Sequence, residues 1–374
     1  MTPFAITSPP RILFGRGEAA KAPGLIKAFG LRGVIVHGAN VDRARWLTEA
    51  LPDALTIICA GEPTLTDLDA ALGQARSIAP QWVAAIGGGA VLDMGKALAA
   101  LIPSESPAMD HLEVVGKSLP LSTAPLPFIA IPTTSGTGAE ATRNAVIGLP
   151  DHGRKVSLRD DRMIARLAIV DPALTDCCPR GVTLASGLDA VVQVIEPYVS
   201  SKATPYTDAL TLPVIGPGLA ALRLLMEGEY PAARDTMAWV SLCGGLALSN
   251  AGLGAVHGFA GVIGGMTGAA HGAICGAMIG PVLAVNRAAT SGNARQRLDH
   301  VCDIIAAAFG TTAEAAPQAL QTWARSAGLP DLADLGVRPE DHGAIVAASA
   351  SASSMKGNPV SLPDAALLDI LRRS

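Results

Sequence analysis

The feature that most constrains the fold is an uncharged stretch that runs from residue 236 to residue 286. It contains no Asp, Glu, Lys or Arg, but it carries twelve glycines, Asn250 and two histidines, His257 and His271. A run this apolar is long enough for a transmembrane hairpin. The glycines, the polar groups and flanks without a strong Lys/Arg asymmetry favour instead the buried centre of a helical domain. A membrane hairpin remains the alternative.

Length and composition agree with two domains and limit the choice of partners. The chain has 374 residues, of which 49% are hydrophobic and 16% charged, and its net charge is −4. This length suits two domains, and the charge balance argues against nucleic acid or an anionic membrane as the main partner. The six cysteines form no C-x-x-C pair, and the N-terminus lacks the pattern of a signal peptide. We therefore expect reduced thiols and a cytoplasmic protein.

The first half of the chain alternates short apolar runs with helical patterns. Four of these runs predict buried parallel strands, at 33–38, 55–60, 82–89 and 126–134. The stretches 66–79 and 90–102 between them predict helices. Alternation of this kind is typical of a doubly wound α/β layer. We predict an α/β dinucleotide-binding domain over residues 1–172.

The second half of the chain has a different composition, in which runs of β-branched residues are rare and Ala, Leu and Gly dominate. Four of its segments predict helices, at 183–200, 235–253, 295–310 and 364–374. We predict an all-α domain over residues 173–374. The biased segment 347–359 predicts the end of a helix followed by a loop.

Two glycine-rich loops in the first half are candidates for a nucleotide site. "AAIGGGAVLDMGKA" places three glycines between a predicted strand and a helix, where free backbone N–H groups can meet a phosphate. Leu92 stands where the last glycine of G-x-G-x-x-G would be, so this stretch alone fits a tight turn equally well. "IPTTSGTGAE" repeats the design, with Thr137 and Glu140 in a capping-box pattern. Together, two such loops at strand ends favour a dinucleotide site.

The second half offers candidate metal ligands. Asp189 and Gln193 share a helix face, and Glu196 follows on nearly the same face. On one continuous helix His257 and His271 would lie about 21 Å apart, too far for a shared ion. The glycines between them predict a turn that brings both imidazoles together. Asp189, His257 and His271 then form a ligand set for Zn²⁺ or Fe²⁺.

The motifs together resemble the iron-containing alcohol dehydrogenase family of the dehydroquinate synthase-like superfamily. The resemblance is carried by "GGGAVLDMGKA", "PTTSGTGAE", "GLDAVVQVIEPYVS" and "GAVHGFAG…AAHG". Their order and spacing span most of the chain. The resemblance implies a dinucleotide-binding α/β domain, a helical domain, an active site in the cleft between them and, as a default, a homodimer.

The resemblance also implies roles for individual residues. Asp189, His257 and His271 would be catalytic and would bind the metal, with Gln193 as a further ligand. The implied cofactor-binding residues are Gly88, Gly89, Ala90, Asp93, Thr133, Thr134, Thr137 and Lys155.

Three departures from the family pattern affect the metal and the cofactor. Gln193 stands where the family usually has a metal-binding histidine, and its amide oxygen would be a neutral, weaker donor. Gly261 stands where a second histidine often follows the first, so a proton relay through that position is absent. Gly38 replaces a carboxylate that selects NAD, which slightly favours NADP; Arg43 or Arg45 could help to bind its phosphate.

The leading hypothesis is a metal-dependent NAD(P) alcohol dehydrogenase or aldehyde reductase that acts on a small alcohol or carbonyl substrate. The metal, Fe²⁺ or Zn²⁺, would polarise the substrate oxygen while hydride passes to or from nicotinamide C4. A metal-independent reductase of the maleylacetate reductase type and a non-catalytic nucleotide-binding protein are the alternatives. We expect no nucleic-acid or membrane partner.

Overall fold

The structure, a computed structural model, describes residues 3–374 and divides them into two compact units. The α/β unit comprises Thr7–Thr134 and Gly138–Asp176. The helical unit comprises residues 3–6, Ser135–Thr137 and Cys177–Ser374. The short segment Ser135–Thr137 thus belongs with the helices, although it lies between two parts of the α/β unit in the chain.

The α/β unit contains a parallel sheet whose described strands have the order β1-β8-β5-β4-β2-β3. These strands are β1 (Ile12–Phe14), β2 (Gly33–His37), β3 (Leu55–Ile58), β4 (Trp82–Gly87), β5 (Phe128–Pro132) and β8 (Leu167–Val170). An antiparallel pair, β6 (Asn144–Leu149) and β7 (Arg154–Arg159), forms a separate hairpin. The four predicted strands are confirmed as β2 to β5. The sequence prediction did not include β1 and β8, which are three and four residues long.

Helices cover both faces of this sheet. They are α1 (Ala22–Lys27), α2 (Arg45–Ala50), α3 (Leu65–Arg76), α4 (Gly89–Leu101) and α5 (Ala108–His111). Val34 and Val83 belong to one buried cluster, whereas the alternate residues Ile35 and Ala84 belong to another. Because successive side chains of a strand point to opposite faces, both faces of the sheet are buried, as its continuous apolar runs predict. The predicted helices at 66–79 and 90–102 are confirmed as α3 and α4.

The helical unit packs its helices around one apolar core. The helices are α6 (Arg180–Val199), α7 (Pro205–Glu227), α8 (Pro231–Ala251), α9 (Ala255–Thr267), α10 (His271–Ala289), α11 (Gly292–Phe309), α12 (Ala316–Ser326), α13 (His342–Ala350) and α14 (Asp364–Arg373). All four predicted helical segments are confirmed, as α6, α8, α11 and α14. Residues 347–359 form the end of α13 and a loop with a short 3-10 turn, also as predicted.

The uncharged stretch from 236 to 286 forms most of α8, all of α9 and most of α10. By length and composition alone, α7 and α10 are each long and apolar enough to cross a membrane, and α8 with α9 would count as one broken span with a 99° bend. Within the described fold, 72% of the apolar window of α10 and 44% of that of α7 are buried against other residues. The apolar character of α10 is therefore largely used by packing inside the helical unit.

Candidate functional site

The first glycine-rich loop joins β4 to α4. Gly88 precedes the helix in extended conformation (φ −75°, ψ −177°), and no side chain caps the N–H groups of the first turn among the described residues. A Cβ on Gly87 would lie 2.6 Å from the Val91 side chain, so the loop is drawn tightly onto its own helix. The chain runs outward from β2 to β3 and then returns to β4 on the other side of β2. The loop therefore lies at a topological switch point, where open α/β sheets bind ligands.

The second loop follows β5 and lies next to the first. The backbone N–H of Thr133 donates to the carbonyl of Gly87, and the side chain of Thr134 lies within contact distance of Gly88. The predicted capping box at Thr137 is wrong. Gly138, with φ +56°, starts a single 3-10 turn over Ala139–Ala141 without a side-chain cap. The chain then enters β6 and not a helix, so the second loop does not repeat the strand–loop–helix design.

A buried ion cluster supports this second loop, and we call Lys96, Glu140 and Asp93 the Lys96 cluster. The Lys96 ammonium is 1% exposed and donates to the carbonyls of Ala139 and Asn144 and to the Thr142 hydroxyl, each at 2.8 Å. Burial lowers the pKa of Lys96 to about 8, although Asp93 and Glu140 oppose the shift. Burial likewise raises the pKa of Glu140 to about 7, against the effects of its own backbone and of Lys96.

The remaining cofactor-binding candidates of this unit have protein partners. One oxygen of Asp93 accepts from the backbone N–H of Val146 at 2.9 Å. Lys155 on β7 forms an ion pair with Glu62. The two arginines considered for an NADP phosphate are also engaged, since Arg43 donates to the carbonyl of Leu174 and Arg45 pairs with Asp42. A role of these residues in cofactor binding stays a prediction.

The three predicted metal ligands converge within the helical unit. Asp189 lies in the middle of α6, His257 near the start of α9 and His271 at the first residue of α10. The predicted helix break between the histidines is confirmed. Helix α9 ends at Thr267, and Gly268 takes a left-handed conformation with φ +73°. The ring centroids of the two histidines are 5.3 Å apart as a result.

A close approach of α10 to α6 sets the distance between His271 and Asp189. A Cβ on Gly272 would lie 2.4 Å from the backbone oxygen of Ala185 and 3.3 Å from the Cβ of Asp189. Only glycine allows this approach without moving one of the helices. The glycines of the uncharged stretch therefore do more than break a helix, because Gly272 lets the two ligand-bearing helices touch.

We call Asp189, His257, His271 and Cys275 the Asp189 cluster, since one ligand atom from each lies within 4.8 Å of all the others. Asp189 Oδ1 is 3.3 Å from His257 Nε2 and 3.8 Å from His271 Nε2. Neither Asp189 Oδ1 nor His257 Nε2 has a hydrogen-bond partner in the described part of the chain, although both are buried. A buried polar atom without a partner is costly. Donors bound to one tetrahedral ion at ~2.1 Å would be about 3.4 Å apart, so the spacing fits a divalent metal.

Electrostatics at the Asp189 cluster also favour positive charge. Burial opposes ionisation of Asp189, yet the neighbouring His271 and His257 hold its pKa below its usual value. Burial also opposes protonation of the imidazoles. Even so, Cys275 and Asp189 raise the pKa of His271 to about 9, and Cys275, Asp189 and Glu196 raise that of His257 well above its usual value. The carboxylates of Asp189 and Glu196 therefore favour a cation beside the imidazoles, whether a proton or a metal ion. The His271 side chain is 35% exposed, which leaves one side of the cluster open to solvent.

Glu196 orients His257, a role that the sequence prediction did not assign. Its Oε2 accepts from His257 Nδ1 at 2.7 Å, and its Oε1 accepts from the backbone N–H of Val256. Asn358 holds the same turn by accepting from the N–H of Ala255. Because Nδ1 is committed to a carboxylate, Nε2 is the nitrogen that faces Asp189 and would bind a metal. The sequence signal that could have indicated this role is that Glu196 follows Asp189 by seven residues, which places both on nearly the same face of α6.

Gln193, the fourth predicted ligand, is buried and has a protein partner. Its Nε2 donates to the backbone carbonyl of Thr137 at 2.6 Å and so ties α6 to the segment Ser135–Thr137. A carbonyl oxygen can only accept, so the amide nitrogen must face Thr137 and the amide oxygen must point elsewhere. Ligation through that oxygen stays a prediction.

Comparisons with known proteins cover both halves of the chain. Residues 9–172 match the family model for iron-containing alcohol dehydrogenase, and residues 183–374 match the C-terminal model for the Fe-containing alcohol dehydrogenase family. The chain is 31% identical to the probable alcohol dehydrogenase EutG of Salmonella typhimurium over 358 residues, which is 95% of this chain and 89% of that protein. It is 30% identical to the NAD-dependent methanol dehydrogenase of Bacillus methanolicus, over 91% of each chain.

Solved structures share the fold. An iron-containing alcohol dehydrogenase from Thermococcus thioreducens superposes with a TM-score of 0.86 at 25% identity, over 99% of this chain and 98% of that one. A 1,3-propanediol oxidoreductase superposes with a TM-score of 0.88 at 24% identity, over 99% of each chain. The α/β and all-α architecture predicted from the sequence is confirmed.

Proposed function

The chain belongs to the iron-containing alcohol dehydrogenase family of oxidoreductases, and from that premise we propose that it is a metal-dependent NAD(P) alcohol dehydrogenase or aldehyde reductase. The observation that carries the proposal is the convergence of Asp189, His257 and His271 with two buried ligand atoms that have no hydrogen-bond partner. A group of donors in this state is poorly explained as part of the core, because each unpartnered atom costs stability. A divalent cation would satisfy both atoms at once.

In this proposal Asp189, His257 and His271 hold the metal, and Glu196 supports them. Asp189 contributes the negative charge, and His257 and His271 contribute neutral nitrogen donors. When bound, the metal supplies Lewis acidity toward the substrate oxygen and the nicotinamide donates or accepts the hydride. Glu196 keeps the His257 ring in one orientation. The exposed side of His271 is where a substrate would enter.

The cofactor side of the proposal rests on the two loops of the α/β unit. We take residues 1–172 as the dinucleotide-binding domain and 173–374 as the metal-binding domain. Gly88, Gly89 and Ala90 would meet the pyrophosphate at the start of α4, because that helix end offers free N–H groups. Thr133, Thr134 and Thr137 would line the adjoining side. Asp93 and Lys155 remain candidates beside them.

The proposed choice between NAD and NADP depends on the residue that follows β2. Gly38 follows this strand and carries no carboxylate that would repel a 2′-phosphate. We therefore propose that NADP is accepted at least as well as NAD. Arg43 or Arg45 would bind that phosphate through guanidinium N–H groups other than those that contact Leu174 and Asp42.

The substrate is a small alcohol or the corresponding aldehyde in this proposal. Relatives named for such substrates include the methanol dehydrogenase above and the lactaldehyde reductase of Escherichia coli, which is 32% identical over 79% of this chain. We further propose a cytoplasmic homodimer without nucleic-acid or membrane partners and with Fe²⁺ or Zn²⁺ as the metal.

The test is purification without chelator, elemental analysis and a turnover assay. The protein would be reloaded with Fe²⁺ or Zn²⁺ and assayed with NAD⁺ and NADP⁺ on a panel of short alcohols, and with the reduced cofactors on the aldehydes. We expect about one divalent metal ion per chain and nicotinamide-linked turnover. Absence of turnover under all of these conditions would refute the proposal.

A metal-independent reductase of the maleylacetate reductase type is the second candidate. It is favoured by Gln193, which stands at the position where the family usually has a metal-binding histidine. The amide nitrogen of Gln193 is hydrogen-bonded to the backbone carbonyl of Thr137. Dialysis against a strong chelator separates the two. Activity that survives complete metal removal would support the second candidate, whereas activity that is lost and then restored by added metal would support the first. Cofactor binding without metal and without turnover would instead indicate a non-catalytic nucleotide-binding protein.

A further inference from the structure

Cys275 lies one helical turn after His271 on the same face of α10. It is fully buried, and its Sγ is 3.6 Å from His271 Nε2. Residues four apart on a helix are neighbours, so the two side chains point to the same region. That region is the Asp189 cluster, in which Sγ lies within 4.8 Å of every other ligand atom.

The amide oxygen of Gln193 is a weaker donor for borderline-soft ions than this sulfur. Gln193 sits on α6 at the position that follows Asp189 by one turn, but its amide nitrogen is held by the carbonyl of Thr137 at 2.6 Å. The buried cluster thus contains a strong donor that is additional to Asp189, His257 and His271.

We infer that Cys275 is a protein ligand of the metal, so that the site is Asp-His-His-Cys and Gln193 serves to position the segment Ser135–Thr137. The inference rests on the proposed metal-dependent function. On coordination the Cys275 thiol releases its proton to solvent and the sulfur forms one bond to the metal ion. Asp189, His257, His271 and Cys275 would hold the metal, which would supply Lewis acidity toward the substrate oxygen. A sulfur ligand shifts the preference of the site toward Zn²⁺ and away from hard ions such as Mg²⁺.

Two spectroscopic measurements on the whole protein test the inference without relying on activity. X-ray absorption at the zinc edge of the zinc-loaded wild type should contain one sulfur at about 2.3 Å besides nitrogen and oxygen at about 2.0 to 2.1 Å. The cobalt-loaded wild type should show thiolate-to-cobalt charge transfer in the near ultraviolet. Cys275 is the cysteine that the described residues bring to this cluster, so it accounts for both signals.

Three variants assign the sulfur. Cys275→Ser should lose the charge-transfer band, keep the visible cobalt bands and bind Zn²⁺ at least about 100-fold more weakly, since loss of a direct ligand costs no less than loss of its supporting contacts. Gln193→Leu should keep the charge-transfer band and an affinity close to that of the wild type. Cys302→Ser, a buried cysteine of α11 outside the cluster, is the matched control and should behave like the wild type.

The outcomes separate this inference from the proposed function. Stoichiometric metal with no sulfur scatterer and no charge-transfer band would overturn the role of Cys275 and leave the metal site intact. Loss of affinity in Gln193→Leu but not in Cys275→Ser would overturn it in favour of the amide oxygen. Failure of the wild type to bind zinc or cobalt would overturn the inference and the metal-dependent function together. The zinc-edge measurement on the wild type decides the matter even where Cys275→Ser fails to fold.

Discussion

The Lys96 cluster and the Asp189 cluster are both buried groups of ionisable side chains, but only one of them is satisfied by the protein. The Lys96 ammonium directs its three donors at three oxygens at 2.8 Å. In the Asp189 cluster, by contrast, Asp189 Oδ1 and His257 Nε2 have no hydrogen-bond partner within residues 3–374. A saturated polar cluster holds a fold together, whereas an unsaturated one indicates a ligand. Perturbed pKa values occur in both clusters, so they do not distinguish a scaffold from a site.

The largest effect should come from Asp189→Asn, which removes charge from the unsaturated cluster with little change of shape. We expect kcat/KM to fall by about three orders of magnitude, because the Lewis acid is worth several kcal/mol of transition-state stabilisation. Metal content after dialysis should fall in parallel, while the melting temperature should change little. Asp303→Asn, on the exposed face of α11, is the control. Retention of both metal and turnover in Asp189→Asn would mean that the cluster is not the metal site.

Lys96→Met in the saturated cluster should have the opposite effect, a loss of stability without a loss of bound metal. The variant leaves the oxygens of Ala139, Asn144 and Thr142 without their donor. Removal of one partner from a buried charged cluster costs about 3 to 5 kcal/mol of unfolding free energy, which urea denaturation would measure. Lys27→Met, at an exposed position of α1, should stay close to the wild type. A variant that kept full stability but lost metal would invert the comparison of the two clusters.

Glu140 makes the saturated cluster sensitive to pH. The pKa of Glu140 is about 7 in the folded protein, compared with 4.5 for an ordinary glutamate such as that of the unfolded chain. Between these values the folded protein holds a proton that the unfolded chain has released, so stability is present below pH 4.5 and is lost as pH rises to 7. The loss amounts to at most about 3 kcal/mol.

Glu140→Gln carries no titratable proton and should flatten this pH dependence. Urea denaturation at several pH values between 4.5 and 7 would measure the slope, with the exposed Glu49→Gln as control. An unchanged slope in Glu140→Gln would show that another group is responsible.

A smaller effect is expected at the edge of the unsaturated cluster. Glu196→Gln keeps the size of the side chain but replaces the carboxylate that accepts from His257 Nδ1. Loss of such an orienting contact typically weakens metal affinity by about 10- to 100-fold, which competition with a chromophoric chelator would measure. Glu227→Gln, at the exposed end of α7, is the matched control. An unchanged affinity would mean that packing alone orients the ring.

The sequence predicted local features well and convergent ones less completely. Strands β2 to β5 could be predicted from their continuous apolar runs, and helices α3, α4, α6, α8, α11 and α14 from the pattern of their own residues. The break between His257 and His271 was accessible because glycine marks it. Cys275 was missed because a lone cysteine in an apolar helix resembles core, and only its distance to His271 reveals more. The network around Lys96 was missed because two of its three acceptors are backbone carbonyls, which no residue type identifies.

The smallest effect is expected from a substitution in the glycine-rich loop between β4 and α4. This substitution tests whether backbone N–H groups, and not only side chains, bind the cofactor. Gly88 has ordinary backbone angles, and a Cβ there would meet Thr134 at 3.4 Å, which is normal contact. Gly88→Ala should therefore fold with a stability near that of the wild type. If the first turn of α4 holds a pyrophosphate, the added methyl group keeps the phosphate away from the N–H groups.

We expect cofactor binding to Gly88→Ala to weaken roughly tenfold, which corresponds to about 1.4 kcal/mol. Metal affinity should not change. Titration calorimetry with NAD⁺ and NADP⁺ would measure the loss. Gly73→Ala, at an exposed position of α3 with nothing within 4 Å of the new Cβ, is the control. Equal cofactor affinity in both variants would show that the loop is a tight turn without a role in cofactor binding. The side chains of the Asp189 cluster would then be the part of the molecule that still has a proposed function.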